Sequence, residues 1–252
     1  EITLERVRDV MDKESFAGVV TSVGGQLPQN LTPLLAACGI PILGTASDSI
    51  DAAEDRQRFS SLLEKLGIPQ PAWRAFTTVE EAERFCAEVG YPVLVRPSYV
   101  LSGAAMRVIP GRADLERFLS AAVRLSPEHP VVISKFLEGA FELDLDAVSD
   151  GEKIWVAALL EHVESAGVHS GDAILVLPPR RTSPRVHQQM VEYAEAMARA
   201  LRIRGPFNVQ FLAVNDEVYV IELNLRASRS LPFVTKATGV PVLREAARAM
   251  LG

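Results

Sequence analysis

Gly205-Pro206-Phe207-Asn208-Val209-Gln210-Phe211-Leu212, followed by Val218-Tyr219-Val220-Ile221-Glu222-Leu223-Asn224-Leu225-Arg226, reads as two antiparallel strands. Both runs are rich in Val, Ile, Phe and Tyr, and Asn215-Asp216 supplies turn chemistry between them. Gln210, Glu222 and Asn224 are oxygen-bearing side chains in otherwise apolar strands, with Arg226 and Arg229 directly after them. Glu222 and Asn224, two apart, share a face. Gln210 joins them if it lies opposite Glu222, a register that also sets Val209 against Leu223 and Phe211 against Ile221. A two-residue turn shifts the pairing by one and turns Gln210 away from Glu222. The shared face therefore requires a three-residue loop, Asn215 to Glu217, or a compensating bulge.

A face of oxygen donors alone suits a hard cation such as Mg²⁺ or Mn²⁺, which binds through one or two carboxylates plus substrate phosphates. The adjacent arginines suit the charge of a transferring phosphoryl group. The plainer alternative is an edge hairpin with a solvated polar face.

The 252 residues are 48% hydrophobic and 23% charged, an ordinary globular balance with enough material for a sizeable core. A net charge of −6 without long single-sign runs argues against nucleic acid or an anionic membrane as partner. No apolar run reaches the roughly 18 residues of a membrane span. Cys38 and Cys86 lack partner spacing and read as ordinary buried thiols of a reducing, cytoplasmic compartment, a mitochondrial one remaining open. No targeting segment is apparent, and an opening at Glu1 directly into helical pattern suggests a piece of a longer chain.

Along the chain, helices are expected over 3–11 and 30–38 with short strands at 18–22 and 40–43, an α/β alternation of doubly wound type. Gly24-Gly25 is not G-x-G-x-x-G, and a tight turn explains it equally well. One amphipathic helix is expected from Ser49 to Leu66, closed by Gly67. Strands follow at 73–76, 91–97, 105–109 and 131–137, with a capping box at Thr78 and a helix over 114–125. Ser98 to Met106 is a small-residue loop able to close on phosphates. Phe141 to Ala147 alternates cleanly and would expose Glu142, Asp144 and Asp146 on one side. A long helix starts at Ser183-Pro184, and a short one from Ala237 to Leu251 ends the chain. Taken singly, His129, His162, His169 and His187 have ordinary surface, loop or core explanations.

Arg96-Pro97-Ser98-Tyr99-Val100-Leu101-Ser102-Gly103-Ala104-Ala105-Met106, Ala166-Gly167-Val168-His169-Ser170-Gly171-Asp172, Asn208-Val209-Gln210-Phe211 and Glu222-Leu223-Asn224-Leu225-Arg226-Ala227-Ser228-Arg229 together resemble the large chain of carbamoyl-phosphate synthetase. The resemblance runs in order over essentially the whole sequence. It implies an ATP-grasp fold of mixed α/β and α+β class, two lobes clasping ATP, preceded by the tail of a Rossmann-like pre-ATP-grasp domain. The implied boundaries are 1–46 for that tail and 47–252 for the ATP-grasp domain, with a small lobe at about 75–137. The short Ser102-Gly103-Ala104-Ala105 loop and Gly167-Val168-His169-Ser170 resemble the second, carbamate-phosphorylating copy. Ser102 and Ala104, Lys135 and Leu225 depart from the bacterial pattern toward the animal multifunctional form.

The implied activity is ATP-dependent phosphorylation of carbamate to carbamoyl phosphate, for pyrimidine or arginine and urea synthesis. The implied cofactors are ATP, two Mg²⁺ or Mn²⁺ ions, and K⁺. Partners would be an N-terminal carboxyphosphate-forming half and a glutaminase domain or subunit, with the oligomeric state open. By resemblance, Arg56 and Arg96 would contact ATP phosphates, Lys135 and Leu137 the adenine, and Glu142 the ribose. Gly167, Val168, His169 and Ser170 would form a loop against the nucleotide. Gln210 and Glu222 would hold one metal, Glu222 and Asn224 the second, and Arg226 and Arg229 would neutralise carbamate and the migrating phosphoryl group. Two other functions fit the same residues: another ATP-grasp ligase forming an acyl phosphate, and an inert nucleotide-binding regulatory copy.

Overall fold

The computed structural model describes residues 1–97, 106–125, 130–168 and 173–252. Thr3 opens α1 (Leu4–Met11), its hydroxyl accepting from the Arg6 N–H. α2 (Gln26–Asn30) and α3 (Thr32–Ala37) follow, where the sequence reading expected one helix over 30–38. The two strands expected at 18–22 and 40–43 reduce to a single parallel bridge, Val19 with Ile42. Pro41 has no N–H to lengthen that ladder, and Gly44 turns the chain away at φ 116°.

The helix expected over 49–66 is broken into α4 (Ser47–Glu54) and α5 (Arg56–Leu66). Asp55 makes the break. It takes an extended conformation and its carboxylate accepts from the Arg58 N–H at 2.7 Å, the position aspartate favours over a helix interior. Gly67 closes α5 in the left-handed region at φ 67°.

The described chain divides into two compact units, 1–69 with 141–252, and 70–140. The 70–140 unit holds β1 (Trp73–Phe76), α6 (Val79–Val89), β2 (Val93–Pro97), β3 (Arg107–Ile109), α7 (Arg112–Leu125) and β4 (Val131–Lys135). Its sheet runs β1-β4-β2-β3, antiparallel throughout. Thr78 caps α6 by accepting from the Glu81 N–H. Val93, Val95 and Ile133 alternate onto the helix-covered face and are fully buried with Phe85, Cys86 and Leu115.

Burial pushes the Cys86 thiol up to about 11, against a hydrogen bond with Tyr91 that pulls it down. Cys38, expected to be buried as well, is exposed. At about pH 8 a thiol reagent should therefore titrate one thiol quickly in the folded chain and two in denaturant. Two equally fast thiols in the folded chain would contradict this packing.

The other unit continues with β5 (Phe141–Asp150), β6 (Ile154–His162), β7 (Leu175–Val176), α8 (Pro184–Leu201), β8 (Arg204–Val214), β9 (Glu217–Asn224), α9 (Leu231–Thr238) and α10 (Val242–Leu251). Its antiparallel sheet runs β7-β6-β5-β8-β9. Leu143, Leu145 and Ala147 of β5 face one way with Phe207, Val209 and Phe211 of β8, and bury against α4, α5 and α8. On the other face, Val148, Ala158 and Leu160 bury against α9 and α10. The helix α9 was not expected from sequence. Gly239, at φ 73°, ends it, and the chain restarts as α10 after Pro241. Among the described residues no helix is long and apolar enough to cross a membrane.

Candidate functional site

Gln210 lies directly opposite Glu222, and Val209 opposite Leu223, the pairing the sequence required. The loop is not the three-residue one. Val214 pairs with Glu217 across a two-residue turn, with Asn215 at φ 51° and Asp216 at φ 60°, the left-handed pair that matches strand twist. Phe211 accordingly faces Val220 rather than Ile221. Ile221 is an extra residue in β9, and this bulge restores the parity that the short turn takes away. Gln210, Glu222 and Asn224 therefore share one face of the sheet, with side chains of directly paired residues about 5 Å apart at Cβ.

Gln210 is buried, Glu222 is exposed on edge strand β9, and Asn224 is half-buried. Asn224 Oδ1 accepts from Arg226 Nη2 at 3.2 Å, and Arg226 Nε donates to Gln26 Oε1 at 3.0 Å. Gln26 is itself anchored, donating to Glu54 at 2.7 Å and Asn30 at 2.9 Å. The Ala227 N–H donates to the Ser22 carbonyl at 2.8 Å. The turn carrying both arginines is thus tied to Ser22 and Gln26.

The strand β5 corrects one expectation. Glu142, Asp144 and Asp146 do share a face, but they are buried rather than exposed. The reason is register: they pair with Leu212, Gln210 and Asn208 of β8 and lie inside the sheet, between β6 and β8. Buried carboxylates need partners, and these have them. His162 of β6 is buried between two of them, Nε2 at 3.2 Å from Asp144 and Nδ1 at 3.8 Å from Glu142. The Gly167 N–H is hydrogen-bonded to the Glu142 carboxylate. Asp144 Oδ1 is buried without a partner among the described residues. Asp146 accepts from Asn208 Nδ2 at 3.0 Å and from Ser230, with Ser228 also bonded to it.

Electrostatics ties these groups together. Burial raises the Glu142 pKa; His162 and the Gly167 N–H oppose it, while Asp144 and Glu222 add to it. Burial pulls His162 down, but the hydrogen bond to Asp144 and the charges of Asp144 and Glu142 outweigh it, with Arg229 working against them; the net pKa is raised. Burial likewise raises Asp146, opposed by Ser230, Ser228 and Asn208. Glu142 thus feels Glu222, and His162 feels Arg229, so the β5–β6 pair and the β9 turn form one electrostatic cluster.

A raised imidazole pKa means that the stabilising contribution of His162 is complete below the unfolded value and lost as pH rises through the folded one. An NMR titration should place His162 above the ordinary 6.5, and Asp144→Asn should lower it. A native value at or below 6.5 would contradict the paired geometry.

The remaining sequence candidates are placed less tellingly. Arg56 is the half-buried first residue of α5. In the 70–140 unit, Arg96 is exposed and its Nη2 lies 3.0 Å from Met106 Sδ, a weak acceptor. Lys135 Nζ donates to the Gly90 and Tyr91 carbonyls at 3.1 and 3.2 Å. Leu137, just past β4, accepts from the Ala140 N–H. Val168 is exposed beside Gly167. His169, Ser170, His129 and the loop 98–105 lie outside the described residues.

Among the described residues no three His, Cys, Asp or Glu side chains form a ready metal centre. A set of one carboxylate and two amides is of a different kind, and its oxygen-only chemistry fits a hard divalent ion completed by phosphate oxygens. Sequence reading missed His162 and Asp144 as an ion pair, Asp146 as a hub, and Gln26 as an anchor. The even-numbered acids of β5 were visible, yet nothing local told that a strand on each side would bury them.

Comparison with solved structures identifies the class. The fold is that of the biotin carboxylase ATP-grasp domain. The chain superposes at TM-score 0.82 on the biotin carboxylase domain of Hydrogenobacter thermophilus 2-oxoglutarate carboxylase, with 19% identity over 98% of this chain and 56% of that one. Rhizobium etli pyruvate carboxylase gives TM-score 0.78, 20% identity, and coverage of 99% of this chain and 22% of that one.

Residues 55–252 match the family described as carbamoyl-phosphate synthase L chain, ATP binding domain, and residues 1–52 match the carbamoyl phosphate synthase preATP-grasp domain. The chain belongs to the carbamoyl-phosphate synthase large-chain family. It is 53% identical to the arginine-specific mitochondrial large chain of Neurospora crassa, covering all of this chain and 22% of that protein. It is 51% identical to the large chain of Sulfurisphaera tokodaii, with 96% and 23% covered. It is 47% identical to multifunctional protein URA2 of Saccharomyces cerevisiae, with 100% and 11% covered. The chain therefore spans less than a quarter of these relatives' length.

Proposed function

We propose that this chain is the second ATP-grasp segment of a carbamoyl-phosphate synthase large chain and phosphorylates carbamate. A carbamate oxygen attacks the γ-phosphorus of ATP in line, the bond to the β–γ bridging oxygen breaks, and carbamoyl phosphate and ADP leave. The observation that carries this reading is the face on which Gln210 opposes Glu222 and Asn224 follows, running directly into Arg226 and Arg229. Residues 1–46 then close a pre-ATP-grasp domain, and 47–252 form the ATP-grasp domain with a small lobe at about 75–137.

Gln210 and Glu222 would hold one divalent ion, and Glu222 and Asn224 a second, Mg²⁺ or Mn²⁺. When bound, these ions neutralise charge on the terminal phosphates. Asn224 would offer Oδ1 to its ion beside the bond from Arg226, and Arg226 would neutralise carbamate. Arg229 offsets the charge of the moving phosphoryl group. Glu142 accepts the ribose hydroxyls, steadied by the Gly167 N–H and by His162, and K⁺ is a further ion of the reaction. Gly167, Val168, His169 and Ser170 lie against the nucleotide. Arg56 and Arg96 take phosphate oxygens, and Lys135 and Leu137 the adenine. In taking a phosphate Arg96 would leave the Met106 thioether, a weak acceptor. No residue need become covalently bound, because positioning and charge neutralisation carry such a transfer.

The parent protein supplies carbamate from an N-terminal half and ammonia from a glutaminase domain or subunit, in a cytoplasmic or mitochondrial setting. The test is ATP formation from ADP and carbamoyl phosphate with Mg²⁺, in the complete large chain. ATP should appear. A chain that binds ADP and makes no ATP from carbamoyl phosphate, but does so from another acyl phosphate, belongs to a different ATP-grasp ligase. No ATP from any acyl phosphate marks an inert copy.

A further inference from the structure

We propose that Asp146 is a positioning residue for phosphoryl transfer, setting the place of Arg229 and Asn224 through Ser228, Ser230 and Asn208. The proposal rests on the functional reading above and names a residue which that reading leaves unused.

Asp146 is fully buried in the middle of β5. Two neighbours in its environment come from the short segment around Arg229. Ser230 donates to Asp146 Oδ2, Ser228 is bonded to Asp146 as well, and the two hydroxyls lie 2.9 Å apart. Arg229 sits between them in sequence, so the carboxylate grips the residue on each side of the arginine and leaves the arginine itself outward and exposed. Ser228 Oγ further accepts the Leu231 N–H at 3.2 Å, which fixes the start of α9.

The third donor points to the metal face. Asn208 gives its amide to Asp146 Oδ1 at 3.0 Å, and Asn208 is the register partner of both Asp146 on β5 and Asn224 on β9. One row across the sheet therefore reads Asp146, Asn208, Asn224. The neighbouring row reads Asp144, Gln210, Glu222. Asp146 heads the first row as Asp144 heads the second, and Asp146 is hydrogen-bonded to its row neighbour.

The chemistry is specific to a carboxylate. Three donors converge on one group that has acceptor capacity for all of them. An amide in its place would aim an N–H at a donor, and a hydrophobic residue would leave buried hydroxyls and an amide without partners. A misplacement of the arginine by about 1 Å is expected to cost on the order of 100-fold in turnover.

The experiment uses the complete large chain with Ser230→Ala, Ser230→Thr and Asp146→Asn, and reads kcat for ATP formation from ADP and carbamoyl phosphate, the KM for ADP, and amide hydrogen exchange over 226–231. Ser230→Ala and Asp146→Asn should lower kcat by on the order of 100-fold with little change in the KM for ADP. Ser230→Thr, which keeps the hydroxyl, should restore most of the rate. Exchange over 226–231 should rise in Ser230→Ala and not in Ser230→Thr. If Asp146→Asn fails to fold, the two Ser230 variants decide. Normal kcat in Ser230→Ala, an equal loss in Ser230→Thr, or unchanged exchange in Ser230→Ala would each overturn the proposal. An unmutated chain that makes no ATP overturns the functional reading instead, and the exchange result still decides whether Asp146 sets the arginine segment.

Discussion

Glu222→Gln lowers ATP formation from ADP and carbamoyl phosphate by about 1,000-fold, with the denaturation midpoint hardly moved. Glu222 is exposed on an edge strand, and exposed substitutions away from caps and cores stay within about 0.5 kcal/mol of the parent. The change keeps the shape and removes only the charge. Glu222 is the one carboxylate in a set otherwise made of Gln210 and Asn224, so glutamine turns an anionic ligand set into three neutral amides. Loss of one preorganised electrostatic group costs about 100- to 1,000-fold, and the upper figure applies because Glu222 is assigned to both ions. Mn²⁺ affinity in the presence of ADP should fall alongside. A variant that keeps its rate, or loses it only by unfolding, contradicts the assignment.

Arg229→Ala should cost at least about 1,000-fold in kcat while leaving the KM for ADP nearly unchanged. Arginines that offset transition-state charge in phosphoryl transfer contribute about 10³- to 10⁵-fold. An interaction made chiefly in the transition state appears in kcat rather than KM. Arg229→Lys should recover little, since a compact ammonium cannot reproduce the planar fork. The geometry supplies an independent check: the charge of Arg229 works against protonation of His162, so Arg229→Ala should raise the His162 pKa further. Equal losses in KM and kcat, or an unmoved His162 titration, would mean that this arginine stands elsewhere.

Much of the fold was legible because strand parity is a strict rule. The alternation of Val209, Phe211 and Leu223 with Gln210, Glu222 and Asn224 left few registers, and the bulge at Ile221 was one of the two devices able to satisfy it. Phe211 opposite Ile221 was wrong because parity says which residues share a face, not where the extra residue sits. Asp55 shows the limit of helical periodicity. Its apolar positions Ile50, Ala53, Phe59 and Leu63 are buried, with Leu62 and Leu66 partly so, yet a capping carboxylate breaks the helix among them.

The buried acids mark a deeper limit. Glu142, Asp144 and Asp146 look the same in sequence whether their strand lies at an edge or inside a sheet. Their burial comes from β6 and β8 on either side, and their partners His162, Ser230 and Asn208 lie 18, 84 and 62 residues away. The anchoring of Arg226 to Gln26 spans 200 residues. Interactions of that reach leave no local pattern, so the shared face of Gln210, Glu222 and Asn224 was readable and the groups packed around it were not.

The most direct measurement is anomalous diffraction from the complete large chain crystallised with Mn²⁺ and a nonhydrolysable ATP analogue. Manganese is expected within about 2.2 Å of side-chain oxygens of Gln210 and Glu222, with a second ion shared by Glu222 and Asn224. Manganese held by other side chains, with the Gln210 amide and the Glu222 carboxylate both outside coordinating distance, would contradict it.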